Sequence, residues 1–236
     1  MQKLAMNFPT DMGSRSDREI HSPGRDPFAH SEKLHQARYA VYKMLSLAYL
    51  YPGDIEWDEF VRELPGILAE AADILELDLT AEMETLSGLS EILDFEQICC
   101  EHTMLFINNP HDDPVSPYES VYLEDTIMGR CARVVQEFYE QHGLAVDRQH
   151  SYLLPDHIAL ELDFMAWLIE KGMESGSSSL GEQLRFFSDH PGLWARRFLA
   201  DVRTVTTNSY FFSLATVADK FLQNEKQLFF FWNQKK

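Results

Sequence analysis

Several features that would assign a function directly are missing from this 236-residue chain. No run reaches the roughly 18 consecutive apolar residues that a membrane-spanning helix requires, so membrane insertion is not expected. Residues 1–30 lack the apolar stretch of a secretory signal, and their prolines, glycines and polar side chains predict a mobile tail. Phosphate-cradling loops, G-x-S-x-G turns and glycine-rich dinucleotide turns are absent too. The sequence therefore gives little support to a conventional enzyme.

Cysteine is scarce, with Cys99, Cys100 and Cys131 as the only examples. No two of them have the C-x-x-C spacing that chelates a metal, and an odd number cannot pair completely. Adjacent cysteines on a helix point about 100° apart, which argues against a redox pair at Cys99 and Cys100. Reduced thiols are the simplest interpretation, and they predict a cytoplasmic protein.

Basic residues are few. The chain has 20 basic and 38 acidic residues, which gives a net charge of −18. A surface of this sign repels nucleic acid and anionic membranes and attracts basic partners, so nucleic-acid binding is not expected. Solubility or adaptation to salt explains the charge equally well, because only 8 of the basic residues are lysines. The 45% hydrophobic content still allows a large buried core.

The apolar residues recur with helical periodicity almost throughout, without strand alternation or internal repeats, which predicts an all-α fold. The pattern predicts one helix from Ser31 to about Leu50, a short one capped by Asp54, and another that starts at Pro65-Gly66. The remaining predicted helices cover residues 80–107 (with a break near Gly88 or Asp94), 120–142, 156–172, 191–206 and 208–232.

A serine- and glycine-rich segment at residues 172–181 predicts a flexible linker. It divides the chain, beyond the tail, into a helical N-terminal part (31–171) and a helical C-terminal part (182–236). A hinge at this point would let the two parts pack within one chain or between two chains. We therefore expect a monomer that can form a domain-swapped dimer.

The strongest lead is the segment from Leu154 to Leu168, a predicted helix that is apolar nearly all round and should lie in a core. It nevertheless carries Asp156, His157, Glu161 and Asp163, and a buried polar group costs on the order of 1–3 kcal/mol unless it is hydrogen-bonded. Capping of the helix N-terminus is the expected role of Asp156. His157 and Glu161 lie four residues apart, which suits either a metal or acid–base pair or a mutually satisfied core pair.

Together, three segments resemble the TorD/DmsD/NarJ family of cytoplasmic chaperones for molybdenum-containing oxidoreductases. They are Glu101–Phe106, similar to E-x-x-x-L-F; Ser116–Tyr122, which reads S-P-Y-E-S-V-Y; and Pro155-Asp156-His157 followed by Glu161 and Phe164. Weaker similarities lie at Tyr42–Tyr51 and at Phe187, His190, Trp194 and Phe198. The resemblance spans roughly residues 32–230.

This resemblance implies an all-helical fold, no catalysis and no cofactor of its own, and binding of the catalytic subunit of a DMSO-reductase-type enzyme. Such chaperones recognise a twin-arginine signal peptide and hold the apoenzyme until its molybdenum cofactor is inserted. The receptor should offer carboxylates beside an apolar groove, because arginine–carboxylate hydrogen bonds are charge-assisted. The expected partner-binding residues are Glu101, Tyr118, Glu119, Ser120, Tyr122, Pro155, Asp156, His157, Glu161 and Phe164.

A metal-dependent helical enzyme is the alternative, with His157, Glu161 and Glu101 as ligands or acid–base groups. Two ligands on one helix are too few for zinc, which takes three or four. Glu101 precedes a proline-rich loop, and its carboxylate is expected either half-buried or solvated. Stoichiometric metal in the purified protein would favour the enzyme over the chaperone.

Overall fold

The computed structural model describes residues 27–110, 113–146, 152–175 and 180–234. Over these ranges the long elements are all helical, as the periodicity predicts. A 3-10 turn, Pro52–Asp54, and an antiparallel β-bridge between Tyr118 and His157 lie between the helices. The helices are α1 Pro27–Ala48, α2 Trp57–Leu75, α3 Thr80–Ser90, α4 Phe95–Phe106, α5 Glu119–Glu124, α6 Arg130–Gln141, α7 Ile158–Ser175, α8 Leu180–Asp189, α9 Pro191–Val205 and α10 Ser209–Gln234.

The centre of the fold is the pairing of α1 with α7. Helix α2 covers another side of α1, and α10 packs against α9 and α3. Small residues allow α1 and α7 to approach closely, since the Ser46 hydroxyl donates to the Ala159 carbonyl at 2.8 Å. Residues 158–166 are all buried, which confirms the core position predicted for this segment. In the described part of the chain, no helix is long and apolar enough to cross a membrane.

A buried ion pair connects α10 to α1. The Arg38 guanidinium donates to both carboxylate oxygens of Glu225, at 2.6 and 2.7 Å, and both side chains are fully buried. The Tyr42 hydroxyl donates to the same carboxylate at 2.9 Å. The Phe229 and Trp232 rings lie 5.3 and 5.1 Å from the guanidinium carbon. The charge is thus paired by hydrogen bonds and covered by aromatic faces, as a buried arginine requires.

The predicted helix boundary at Pro65-Gly66 is wrong, because α2 runs through both residues. Proline in a helix interior removes one hydrogen bond and costs about 3 kcal/mol. The apolar stripe of α2 continues unbroken past this point, from Phe60 and Leu64 to Leu68, and all three are buried. Burial of side chains on both sides of the proline offsets its cost.

The helix predicted over 120–142 is also wrong, since the chain forms α5 and α6 with a turn between them. Helix α5 ends where Asp125 adopts a left-handed backbone with φ 52°. Helix α6 begins where the Arg130 N–H donates to Glu124 Oε2 at 2.6 Å. A side chain on Gly129 would collide with this carboxylate, so a larger residue there would displace Glu124 from the Arg130 N–H. The stop predicted at Gly143 is confirmed by its φ of +72°.

Other boundaries agree more closely with the sequence. The predicted break near Asp94 is confirmed, because its side chain accepts a hydrogen bond from the Gln97 N–H at 2.8 Å and caps α4. The predicted end at Gly172 is wrong, since α7 continues to Ser175. Residues 176–179 of the predicted linker, and residues 1–26 of the predicted tail, lie outside the described residues.

Candidate functional site

The two most specific sequence segments meet side by side. Tyr118 and His157 form the antiparallel bridge, in which the Glu119 N–H donates to the Asp156 carbonyl at 3.0 Å. The Ile158 N–H donates to the Pro117 carbonyl at 2.9 Å. The S-P-Y-E-S segment and the P-D-H segment therefore form one structural unit at the start of α5 and α7.

Asp156 caps a helix, but not the one predicted. Its Oδ2 accepts a hydrogen bond from the Ser120 N–H at 2.9 Å, at the N-terminus of α5, and its side chain is fully buried. Helix α7 is capped by His157, whose Nδ1 accepts from the Ala159 N–H at 3.1 Å. The expectation that Asp156 caps its own helix is therefore wrong. Pro155 is held beside it, because its carbonyl accepts from the buried Tyr139 hydroxyl at 3.0 Å.

Two buried carboxyl groups form the centre of the site. Glu161 Oε2 accepts from the Trp194 indole N–H at 2.9 Å, and Glu119 Oε2 lies 3.1 Å from His190 Nδ1. Both carboxyl groups are fully buried, and Glu161 Oε1 has no hydrogen-bond donor among the described residues. Burial, and then the charge of the nearby Glu119 carboxylate, raises the pKa of Glu161 well above its usual 4.5. Burial therefore favours the protonated form of the Glu161 carboxyl group.

Two further histidines, His157 and His102, are buried in the described part of the chain. Burial, and then the neighbouring charge of His102, lowers the pKa of His157 to about 3. Burial lowers the pKa of His102 to about 4, an effect that the Tyr49 carbonyl partly offsets. Within the described ranges, neither ring nitrogen of His102 makes a hydrogen bond of normal geometry. The Tyr118 ring packs edge-on against His157 with the centroids 5.1 Å apart.

The described residues contain no cluster of ligands that supports the predicted metal site. Among the residues that the structure describes, no three His, Cys, Asp or Glu side chains converge as a metal site. His157 and Glu161 do not form the pair expected from their spacing, since each bonds to another group. Glu101 is half-buried on α4. Asp163, the fourth polar residue of the segment, pairs instead with Lys43 Nζ at 2.6 Å.

The ten predicted partner-binding residues divide by exposure. Glu119, Ser120, Pro155, Asp156, His157, Glu161 and Phe164 are buried, whereas Glu101, Tyr118 and Tyr122 are half-buried. Phe164 is a core residue whose ring packs edge-on against Phe186 at 4.6 Å. A partner can therefore reach only a minority of these side chains, and the buried ones determine how the others are held.

Tyr122 is the half-buried residue with the most fixed position. Its hydroxyl donates to Asp201 Oδ2 at 2.9 Å, and its carbonyl accepts a hydrogen bond from Arg197. Its ring lies 5.4 Å from that of Trp194, so α5 and α9 are joined at this point. Sequence reasoning ranked His190 and Trp194 only as weak similarities. Their link to Glu119 and Glu161 crosses more than thirty residues of sequence, so no helical spacing reveals it.

Comparison with known proteins assigns this chain to a family. Residues 73–200 match the family described as nitrate reductase delta subunit. The match covers more than half of the chain, and the chain belongs to this family, the TorD/DmsD/NarJ group of redox-enzyme maturation chaperones. The resemblance seen in the three sequence segments is thereby confirmed.

The chain is also similar to individual known proteins. The chain is 28% identical over 207 residues to the chaperone protein TorD of Vibrio cholerae, covering 82% of this chain and 92% of the relative. It is 26% identical over 153 residues to the probable Tat proofreading chaperone DmsD of Haemophilus influenzae, covering 63% and 71%. It is also similar to the crystal structure of a proposed redox enzyme maturation protein from Archaeoglobus fulgidus, with 21% identity, a TM-score of 0.48 and coverage of 88% and 99%.

Proposed function

We propose that this molybdoenzyme maturation chaperone binds the catalytic subunit of a DMSO-reductase-type oxidoreductase together with its twin-arginine signal peptide. It would hold that subunit in the cytoplasm and assist insertion of the molybdenum cofactor before assembly or export. The supporting observation is the convergence of the two family segments at the Tyr118–His157 bridge, in a chain that belongs to the chaperone family. Relatives named as chaperones form a non-enzymatic class, which agrees with a binding role.

The burial of the motif residues suggests a division of roles. Asp156 accepts a hydrogen bond from the first turn of α5. The hydrogen bond from Trp194 to Glu161 connects α9 to α7. Tyr118 and Tyr122 then present partly exposed aromatic rings at fixed positions. Rigid aromatic residues with a polar tip are well suited to a binding surface, since they contribute large contact area at little entropic cost. We assign direct client contact to these two tyrosines and to Glu101, and a supporting role to the buried residues.

The charge of the chain suits this client. A twin-arginine segment carries two guanidinium groups, and a surface of net charge −18 attracts it at long range. Screening weakens attraction between exposed charges beyond roughly 8 Å at physiological salt. Peptide affinity should therefore fall as salt is raised, and an affinity independent of salt would contradict the electrostatic part of the proposal.

Co-purification tests the proposed function. A DMSO-reductase-type catalytic subunit from the same organism is co-expressed with a tagged chain, with and without its N-terminal signal peptide. We expect the full subunit to co-purify and the shortened one to bind more weakly. Tyr118→Ala should reduce recovery of the subunit, whereas Tyr152→Ala, at a fully exposed residue, serves as the matched control. Absence of any complex with the full subunit would overturn the proposal.

Cofactor insertion needs a separate measurement. The molybdenum content of the catalytic subunit is compared after expression with and without the chaperone. A lower metal content in the absence of the chaperone is expected. Equal content would restrict the role to binding.

The state of association is a further part of the proposal. Helices α8 and α10 contact α7, α1 and α3, so the C-terminal helices complete a core begun by the N-terminal ones. We expect a dominant monomer and a slowly exchanging domain-swapped dimer at high concentration. Deletion of residues 177–179 should increase the dimer fraction measured by size exclusion with light scattering.

A further inference from the structure

The turn between α5 and α6 exposes an unusual concentration of apolar side chains. We call residues Leu123–Met128 the docking turn. Leu123, Ile127 and Met128 are 41%, 62% and 64% exposed. Glu124 and Asp125 are exposed in the same six residues. Exposed apolar groups packed this densely in sequence, and interleaved with carboxylates, are typical of an interaction surface.

The backbone of the docking turn is strained. Asp125 and Met128 have φ values of 52° and 60°, and in the described part of the chain only Glu76 joins them as a non-glycine residue with positive φ. Such conformations cost on the order of 1–3 kcal/mol each and persist only where the surroundings impose them. Methionine gains nothing locally from this conformation, since it cannot make the local hydrogen bonds of Asn or Asp. Asp125 ends α5 in this conformation, and Met128 lies two residues before the start of α6.

Specific contacts hold the turn in this shape. Glu124 Oε2 accepts from the Arg130 N–H at 2.6 Å, and the Thr126 N–H donates to the Ser120 carbonyl at 3.4 Å. Ser120 is in turn bonded to the buried Asp156 carboxylate at 2.9 Å. On the other side, Arg197 bonds to the Tyr122 carbonyl. The docking turn thus projects from the rigid unit formed by the two family segments.

We propose that the docking turn binds the arginine pair and the adjoining apolar stretch of the client signal peptide. The apolar side chains of the turn would cover part of the peptide's apolar stretch, and the Asp125 carboxylate would face a guanidinium group. This inference rests on the proposed function and assigns its peptide-binding surface. Exposed carboxylates beside exposed apolar groups match a peptide that carries charge and apolar residues in the same order.

Another exposed apolar surface has the opposite charge and provides a comparison. Phe230 and Phe231 are 60% and 59% exposed on α10. They line a surface depression together with Lys226 and Arg196. Arg196 is paired with Asp219 at 2.6 Å, and the residues that line the depression include no carboxylate that could bind an arginine. This favours the docking turn as the binding surface of the peptide.

Titration calorimetry with a synthetic peptide tests the apolar part. The peptide carries an arginine pair followed by a leucine- and alanine-rich stretch, and a second version has glutamines in place of both arginines. Ile127→Ser combined with Met128→Asn should weaken binding of the arginine peptide at least tenfold. Asparagine tolerates positive φ, so this variant keeps the backbone of the turn. Phe230→Ser combined with Phe231→Ser is the matched control and should leave the affinity unchanged.

The charge of the turn is tested by Asp125→Asn. This substitution also keeps the left-handed backbone, and it removes only the negative charge. We expect a several-fold loss of affinity for the arginine peptide at low salt and no loss for the glutamine peptide. An equal effect on both peptides would contradict contact between Asp125 and the arginines.

The outcomes separate the two levels of the proposal. If the wild-type chain binds the arginine peptide and the docking-turn variants bind it equally well, the turn is not the binding surface, although signal-peptide binding stands. If the wild-type chain binds neither peptide, signal-peptide binding itself is refuted. A loss of affinity in the α10 control variant as large as in the docking-turn variant would assign the peptide to a different surface. Thermal melting of each variant confirms that the fold is intact.

Discussion

The backbone N–H of Ser120 donates a 2.9 Å hydrogen bond to Asp156 Oδ2, so the carboxylate of one family segment caps α5, the helix that begins within the other segment. The bond crosses 36 residues of sequence and lies fully inside the core. This hydrogen bond satisfies a backbone N–H in the first turn of α5, and it also connects α5 to the start of α7.

Replacement of Asp156 should separate the effect of the cap from that of the charge. Asp156→Ala leaves a buried N–H without a partner, and we expect a loss of about 1–3 kcal/mol in the free energy of unfolding. Asp156→Asn retains an oxygen that can accept the bond and should lose less than about 1 kcal/mol. Urea unfolding measures both. An equal loss in the two variants would show that the charge, rather than the cap, stabilises the fold.

Glu161 should make the fold less stable as pH rises. Its pKa in the folded chain is raised above the usual 4.5 by burial and by Glu119, so the folded state holds a proton that the unfolded state releases. The free energy of unfolding then falls between about pH 4.5 and the folded pKa, by at most about 1.4 kcal/mol per pH unit for one proton. Glu161→Gln mimics the neutral acid and should flatten this decline.

The control for this measurement is Glu174→Gln, because the Glu174 side chain is 58% exposed. Urea unfolding of both variants and of the wild-type chain from pH 5 to pH 8 decides the matter. A decline of the same slope in Glu161→Gln and in the wild-type chain would contradict a buried neutral acid at Glu161.

His102 should destabilise the fold in acid. Burial lowers the pKa of His102 to about 4. Below pH 6.5 the unfolded chain therefore binds a proton at His102 that the folded chain does not bind. Stability is therefore lost as pH falls from about 6.5 toward 4. His102 packs against the rings of Phe106 and Phe211 at 4.9 and 6.1 Å, where phenylalanine would also be accommodated. His102→Phe should reduce the acid slope. His157, with a pKa of about 3, and His35, whose pKa burial also lowers, still contribute to that slope in the variant.

Thermal melting between pH 4 and pH 7 checks this expectation. If His102→Phe melts with the same dependence on pH as the wild-type chain, His102 does not contribute to the acid slope.

The buried ion pair of Arg38 and Glu225 should be far more sensitive than an exposed pair of the same length. Arg38→Met leaves Glu225 as a buried charge without its partner, which costs about 3–5 kcal/mol. The bond from Arg196 Nε to Asp219 Oδ1 has the same 2.6 Å length, but the Arg196 side chain is 52% exposed. Arg196→Met should cost at most about 1 kcal/mol. Comparable losses in chemical unfolding would contradict the role of burial.

The family segments could be recognised in the sequence, but the roles of their residues could not. Apolar periodicity predicts that residues 154–168 lie in a core, and residues 155–166 are all buried. Spacing alone suggested that His157 bonds to Glu161, whereas the actual partners are Ala159 and Trp194. A local pattern reports only neighbours along one helix, and these contacts depend on how separate helices pack.

Breaks in helices were predictable only where local chemistry decides them. Asp94 and Gly143 act through their own side chain and backbone, so the sequence located both ends. Pro65 is tolerated because burial along α2 outweighs its local cost, and Asp125 ends α5 in a strained turn that contacts from Glu124 and Ser120 maintain. In both cases tertiary interactions override the local preference.

The sequence by itself determined the helical class, the core position of α7 and the family, because periodicity and motif spacing are properties of the chain alone. Only the tertiary structure decided which polar groups meet, that Asp156 caps α5, that Glu119 approaches Glu161, and that Tyr118 and Tyr122 remain accessible. The physical reason is that most buried polar side chains are stabilised by a hydrogen-bond partner at about 3 Å. In this fold those partners come from helices far apart in the sequence.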